Sequence, residues 1–215
     1  MYKFTFKFFM AMLFLFNLNS ALAQTNLYQH PEFDQKTADH KIIAIIPFDA
    51  SVNLRPKQMK DMSPEQMTNL EKDEGLSIQS AMYSWFLKRK KRGDLKVDLQ
   101  DPKRTNALLA KAEITDIKLH TSEEIAQLLN VDAIISGTFE TDKPMSDGAS
   151  IALGLLVGFW GSTNTAVINM SVNDATEGEL LWNYNKKVRG SLGSDNDALI
   201  NTLMRKASRR LGYTD

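Results

Sequence analysis

From Lys41 the run KIIAIIPFDA is apolar at consecutive positions and rich in β-branched residues. A strand covered on both faces has that pattern, and Pro47 should end its ladder or lie at an edge. Residues 95–101, LKVDLQD, alternate apolar and polar, which predicts a second, half-buried strand stopped by Pro102. VDAIISGTF, from Val131, is a third buried strand. TAVINMSV and LLWNYNKKV form a hairpin across NDATEGE, where Gly178 supplies the positive φ that such a loop needs. Between these runs the period lengthens to that of a helix. Ser63-Pro64-Glu65-Gln66 reads as a capping box, and Leu76, Ala81, Met82, Trp85 and Phe86 follow at helical spacing. Gly93 closes that helix, and Gly75 is expected to divide it in two. KRTNALLAKA is a short helix. Thr121 to Glu124 open another with Ile125, Leu128 and Leu129 inward, and the C-terminal DNDALINTLMRKASRRLGY is amphipathic with Ala198, Leu199, Leu203 and Leu211 inward.

Helices inserted between strands require crossovers. The fold class expected is therefore α/β, a mixed sheet of about five strands flanked by helices, with an apolar insertion before the C-terminal hairpin. Residues 1–23 read as a secretory signal peptide: Lys3 and Lys7 precede an apolar run from Phe8 to Phe16, and Ala21-Leu22-Ala23 offers cleavage between Ala23 and Gln24. The run is shorter than the roughly 18 to 20 residues of a spanning helix. Residues 24–40 are polar and aperiodic and read as an extended N-terminal arm, leaving 41–215 as a single α/β domain with an insertion at 145–164.

Removal of residues 1–23 leaves 215 less 23, or 192 residues, with 26 less 2, or 24, basic side chains against 26 acidic. A near-neutral balance gives no electrostatic case for nucleic acid as a partner. With no cysteine in the chain, stability rests on a hydrophobic core, thiolate metal sites and cysteine nucleophiles are excluded, and a lipid anchor on a cysteine after the signal peptide is not expected.

Candidate chemistry is sparse. Lys88 to Arg92, KRKKR, is the densest charge run; it reads as the solvated last turn of a helix complementing the dipole, with an acidic surface such as anionic lipid as the alternative. His30, Glu32, Asp34, Asp39 and His40 match no metal-ligand spacing, and His120 reads only as the residue before a helix cap. Asn169-Met170-Ser171 is a glycosylation triplet, but it falls inside a strand. No phosphate loop or nucleophile elbow is present, so no catalytic residue, cofactor or metal is assigned and a non-enzymatic protein is expected.

The sharpest feature is IALGLLVGFW, residues 151–160. It is too short to span a bilayer as a helix and too uniformly apolar for a barrel strand, which should alternate its faces. Read as a helix, Gly154 and Gly158 make a small-xxx-small pair that admits a close neighbour. Either the segment packs on its own sheet, or Ile151, Leu153, Gly154, Leu155, Leu156, Val157, Gly158, Phe159 and Trp160 form a contact surface for another molecule.

KIIAIIPFDA as first strand, SEEIAQLLNVDAIISGTF as helix and strand, and AVINMSVNDATEGELLWNY as hairpin together resemble the TolB amino-terminal-like α/β fold of exported envelope proteins, which includes the curli secretion channel family. In that channel family the segment before the hairpin is glycine-rich and contributes to a membrane-spanning hairpin of a ring oligomer. The resemblance implies an exported protein of the periplasm or outer-membrane periphery, acting as a binding or assembly component. Its partner would be an envelope protein or a second copy, with peripheral membrane contact. A pore-forming outer-membrane channel subunit is one alternative, although the cysteine anchor of that family and a second wall-building segment are missing. An exported hydrolase is the other.

Overall fold

A computed structural model describes residues 25–54, 56–60, 62–142, 165–189 and 196–214. Its strands are β1 (Thr25–Gln29), β2 (Ile42–Ile45), β3 (Asp49–Val52), β4 (Asp98–Leu99), β5 (Ala133–Thr141), β6 (Thr165–Asp174) and β7 (Leu180–Arg189). The helices are α1 (Phe33–Lys36), α2 (Pro56–Met59), α3 (Pro64–Arg92), α4 (Pro102–Lys111), α5 (Ser122–Leu129) and α6 (Asn196–Ser208). The seven strands make one mixed sheet in the order β1-β7-β6-β5-β2-β4, and β3 also pairs with β5. β2 is parallel to β4 and β5, whereas β1, β7, β6 and β5 are joined antiparallel.

Two cores lie on opposite faces of this sheet. Ile43, Ile45 and Ile135 point to the face covered by α3 and α6, where Ile78, Phe86, Leu203 and Met204 meet them. Their neighbours Ala44, Ile46 and Ile134 point the other way, to Leu109 of α4 and to Ile125 and Leu129 of α5. Each fully buried aliphatic side chain contributes about 1.5 to 3 kcal/mol. This double cover is why β2 and β5 read as unbroken apolar runs. Farther along the sheet the second face turns polar, with Ser171 and Asn169 on β6 beside Asn183 on β7.

Pro47 interrupts the first strand as its missing N–H requires. β2 pairs with β5 through Ile45↔Ile135, and β3 resumes at Asp49↔Thr138, so three residues on one side face two on the other. Glycines bracket Phe48 at this break. A Cβ on Gly75 would lie 2.1 Å from the Phe48 carbonyl oxygen, and one on Gly137 would lie 2.6 Å from the Phe48 ring. The Phe48 N–H in turn donates to the Gly75 carbonyl, at 3.3 Å. Gly75 therefore does not divide the helix: α3 runs unbroken from Pro64 to Arg92, and its glycine is the point where helix backbone touches strand backbone.

Other local readings are met or corrected by packing. Ser63 and Thr121 both close capping boxes, Gly93 ends α3 at φ 82°, and Gly178 sits in the β6–β7 loop at φ 67°. On α5 the buried residues are Ile125, Ala126 and Leu129, while Leu128 stays exposed. Leu203 and Leu211 are buried with Ile200 and Met204; the side chains of Ala198 and Leu199 lie outside the described residues. Thr25–Gln29, expected within a polar arm, is an edge strand on β7 with register Leu27↔Tyr184. It carries no apolar alternation because four of its five residues are exposed, so neither of its faces is buried.

Candidate functional site

The predicted contact residues, Ile151, Leu153, Gly154, Leu155, Leu156, Val157, Gly158, Phe159 and Trp160, lie outside the described residues, as do Ala23 and Gln24. What is described is the base from which the insertion leaves. β5 and β6 remain paired up to Thr141↔Ala166, and the Asp142 N–H donates to the Thr165 carbonyl at 3.3 Å. Asn53 ties the same end down by donating its N–H to the Thr141 carbonyl at 2.8 Å. Asp142 and Thr165, the described residues that flank 143–164, thus lie side by side at one end of the sheet. A small cavity of about 190 Å³ lies there, lined by Asn53, Glu140, Asp142, Thr165 and Lys187.

A cleft of about 400 Å³ follows from the break at Pro47. The α4–α5 connection crosses the sheet as a 3-10 turn at Ile117–Leu119 and leaves space above Ile46, Ile134 and Ser136. Lys118 on the rim pairs with Asp49 at 2.8 Å. The Asp49 carboxylate, hydrogen-bonded to the ammonium, raises the Lys118 pKa against a small opposing desolvation. His120, directly before the Thr121 cap, borders this cleft and lies 3.7 Å from Glu124. The floor of the cleft is apolar and its rim carries a few polar groups. Sequence reading missed it because its walls come from three separated stretches joined only by the crossover.

The histidines of the N-terminal region serve as ties between chain segments. His30 pairs with Glu179 at 3.2 Å, and Lys36 reaches the same carboxylate at 2.7 Å. His40 lies between the Tyr213 hydroxyl, 2.6 Å from Nδ1, and Asp174, 3.1 Å from Nε2. Asp174 also accepts from the Thr176 and Glu177 N–H groups of the hairpin loop. Burial would raise its pKa, but those two N–H donors and His40 outweigh burial and hold it below the ordinary carboxylate value. Tyr213 is 2% exposed, and burial, reinforced by the Asp174 and Asp132 carboxylates, pushes its phenol pKa far up. A phenol held protonated and sealed in this way is a structural link between the C-terminus, the N-terminal segment and the hairpin. Among the described residues, no three His, Asp or Glu side chains converge as a metal site. The basic run Lys88–Arg92 ends α3, where Arg89 pairs with Asp94 and Lys90 with Asp98. Asn169 of the glycosylation triplet sits in β6 and accepts from Asn183 at 2.8 Å.

The fold is that of a mixed α/β sheet with an insertion in the β5–β6 hairpin and two unequal helical layers. No protein-family model matches the chain, and no curated protein does. Among solved structures it is similar to the PelC dodecamer from Paraburkholderia phytofirmans, at 12% identity and TM-score 0.47, covering 89% of this chain and 99% of that one. It is similar also to lipoprotein GNA1162 from Neisseria meningitidis, at 12% identity and TM-score 0.46, covering 80% and 97%. A third is the LpoB C-terminal domain from Salmonella enterica, at 10% identity and TM-score 0.32, covering 74% and 93%. Likenesses at these scores are too weak to transfer a function. No helix among the described residues is long and apolar enough to cross a membrane.

Proposed function

We propose that this chain is an exported, non-enzymatic binding or assembly component of the cell envelope, a divergent relative of the TolB amino-terminal-like and curli-channel proteins. Its contact surface is Ile151–Trp160, and its partner is an envelope protein or a second copy. One observation carries the reading. The insertion leaves and re-enters a strand pair that is hydrogen-bonded at its base, Asp142 to Thr165, at an end of the sheet tied by Asn53. The strands are thus registered by their own ladder on either side of the apolar segment. A surface of ten apolar residues carried this way is a liability in a monomer and an asset in an assembly.

The test is to fractionate cells producing the wild type and a deletion of residues 149–162, and to size both proteins with and without detergent. The proposal expects the deletion to keep its melting transition while losing its oligomeric state or membrane association. A deletion that unfolds the domain while leaving location and size unchanged would show the segment to be core. Ring oligomers that need detergent would instead favour the channel subunit.

A further inference from the structure

We propose that the adjoining C-terminal ends of α3 and α6 form a docking surface for a membrane leaflet carrying anionic lipid. The two helices run in the same direction over the sheet: the Trp85 indole N–H donates to Asn201 at 3.1 Å, and one turn further along α3 the Arg89 Nε–H donates to Ser208 at 3.5 Å. That alignment brings together two basic runs far apart in sequence, KRKKR at 88–92 and RKASRR at 205–210.

Part of this charge is used internally. Arg89 and Lys90 are paired with Asp94 and Asp98. Lys206 and Arg210 lie near enough to Lys186 to depress its pKa further, burial being the larger cause. Lys88, Lys91, Arg92, Arg205 and Arg209 are left exposed. Lys88 lies over the Trp85 ring, 4.1 Å from its centroid, and among the described residues none of these five forms an ion pair. The chain as a whole is balanced, with 26 basic and 26 acidic residues, so the patch is a segregation of charge and not an expression of net charge.

A helix dipole explains cations in each last turn, but its effect fades within that turn. It gives no reason to set two such ends side by side, with Asp94 and Asp98 answering only Arg89 and Lys90. An extended anionic surface does, because each Lys or Arg near it adds attraction. Lipid is favoured over an acidic macromolecule by the apolar character beside the cations: Leu87 is 42% exposed and Trp85 is half-buried, the mixture that suits the headgroup boundary. The patch sits at the level of Lys41, where β2 starts and Asp98 donates to the Lys41 carbonyl, whereas the insertion leaves from the far end of β5, which runs parallel to β2. The inference therefore does not rest on the reading of residues 151–160.

The purified protein is sedimented with vesicles of phosphatidylcholine alone and of phosphatidylcholine with phosphatidylglycerol, at low and high salt. Binding is expected on the anionic vesicles only and is lost in high salt. Removal of each cation should weaken it roughly fivefold, so K91Q/R205Q/R209Q should weaken it about a hundredfold with an unchanged far-UV spectrum. The deletion of residues 149–162 should retain the salt-sensitive binding. Equal binding to both vesicle types, or a triple variant that binds like the wild type, would overturn the proposal. So would retention on immobilised polyglutamate without vesicle binding, which would give the surface to an acidic macromolecule.

Discussion

Gly75→Ala separates reasoning from the sequence alone from reasoning on packing, because the two predict opposite signs. In a helix interior, alanine is favoured over glycine by about 1 kcal/mol. Here the added methyl would lie 2.1 Å from the Phe48 carbonyl oxygen and 3.1 Å from its carbon, both backbone atoms that cannot turn aside. Helix and strand must separate by more than an ångström. Forcing a methyl into a packed contact costs roughly 1 to 3 kcal/mol, and backbone against backbone belongs at the upper end. Separation also stretches the Phe48 N–H bond to the Gly75 carbonyl, worth about 1 kcal/mol. Against the helix gain, the net is a loss of roughly 2 to 3 kcal/mol. For a domain of this size that lowers Tm by about 5 to 10 °C. Urea unfolding followed by circular dichroism, with a thermal melt, measures both. A variant as stable as the wild type, or more stable, would refute the claim that α3 is held against the strand break by direct backbone contact.

Three further outcomes follow from single side chains. Asp174→Asn should destabilise at neutral pH, and the difference should shrink as pH falls: a carboxylate held low by the fold contributes fully above its unfolded value of about 3.9 and loses that contribution as pH drops through its folded value. Urea midpoints at neutral pH and near pH 3 check the sign. Thr121→Ala, which opens the capping box with Glu124 at the cleft, should cost about 1 kcal/mol in the same assay. Gln79→Leu should cost roughly 1 to 3 kcal/mol, because the Gln79 amide donates to the Ile45 carbonyl at 2.7 Å and exchanges bonds with Asn106.

Elements announced by local chemistry are legible in the chain. Ser63 with Gln66, Thr121 with Glu124, Gly93 and Gly178 each satisfy a requirement set within a few residues, and the runs at Ile43 and Ile134 are apolar because both faces are covered. The misreadings come where a distant element decides. Gly75 reads as a breaker until Phe48 lies against it, and Thr25–Gln29 reads as an arm until β7 supplies its ladder. Glu74 and Gln79 are fully buried on α3, so its inward face is not purely apolar. Gln79 is there because β4 stops at Leu99 and leaves the Ile45 carbonyl for a side chain to satisfy. The cleft at Pro47 and the joined basic helix ends escape sequence reading for the same reason: both are made by the crossover order and the parallel run of α3 and α6.

Whether residues 151–160 meet another molecule is tested most directly by a photo-crosslinking amino acid placed at Leu156 in the full chain and irradiated in producing cells. The account predicts an adduct of higher mass, joining this chain to a second copy or to another envelope protein. Crosslinks confined to its own sheet and helices, with no intermolecular product, would contradict it.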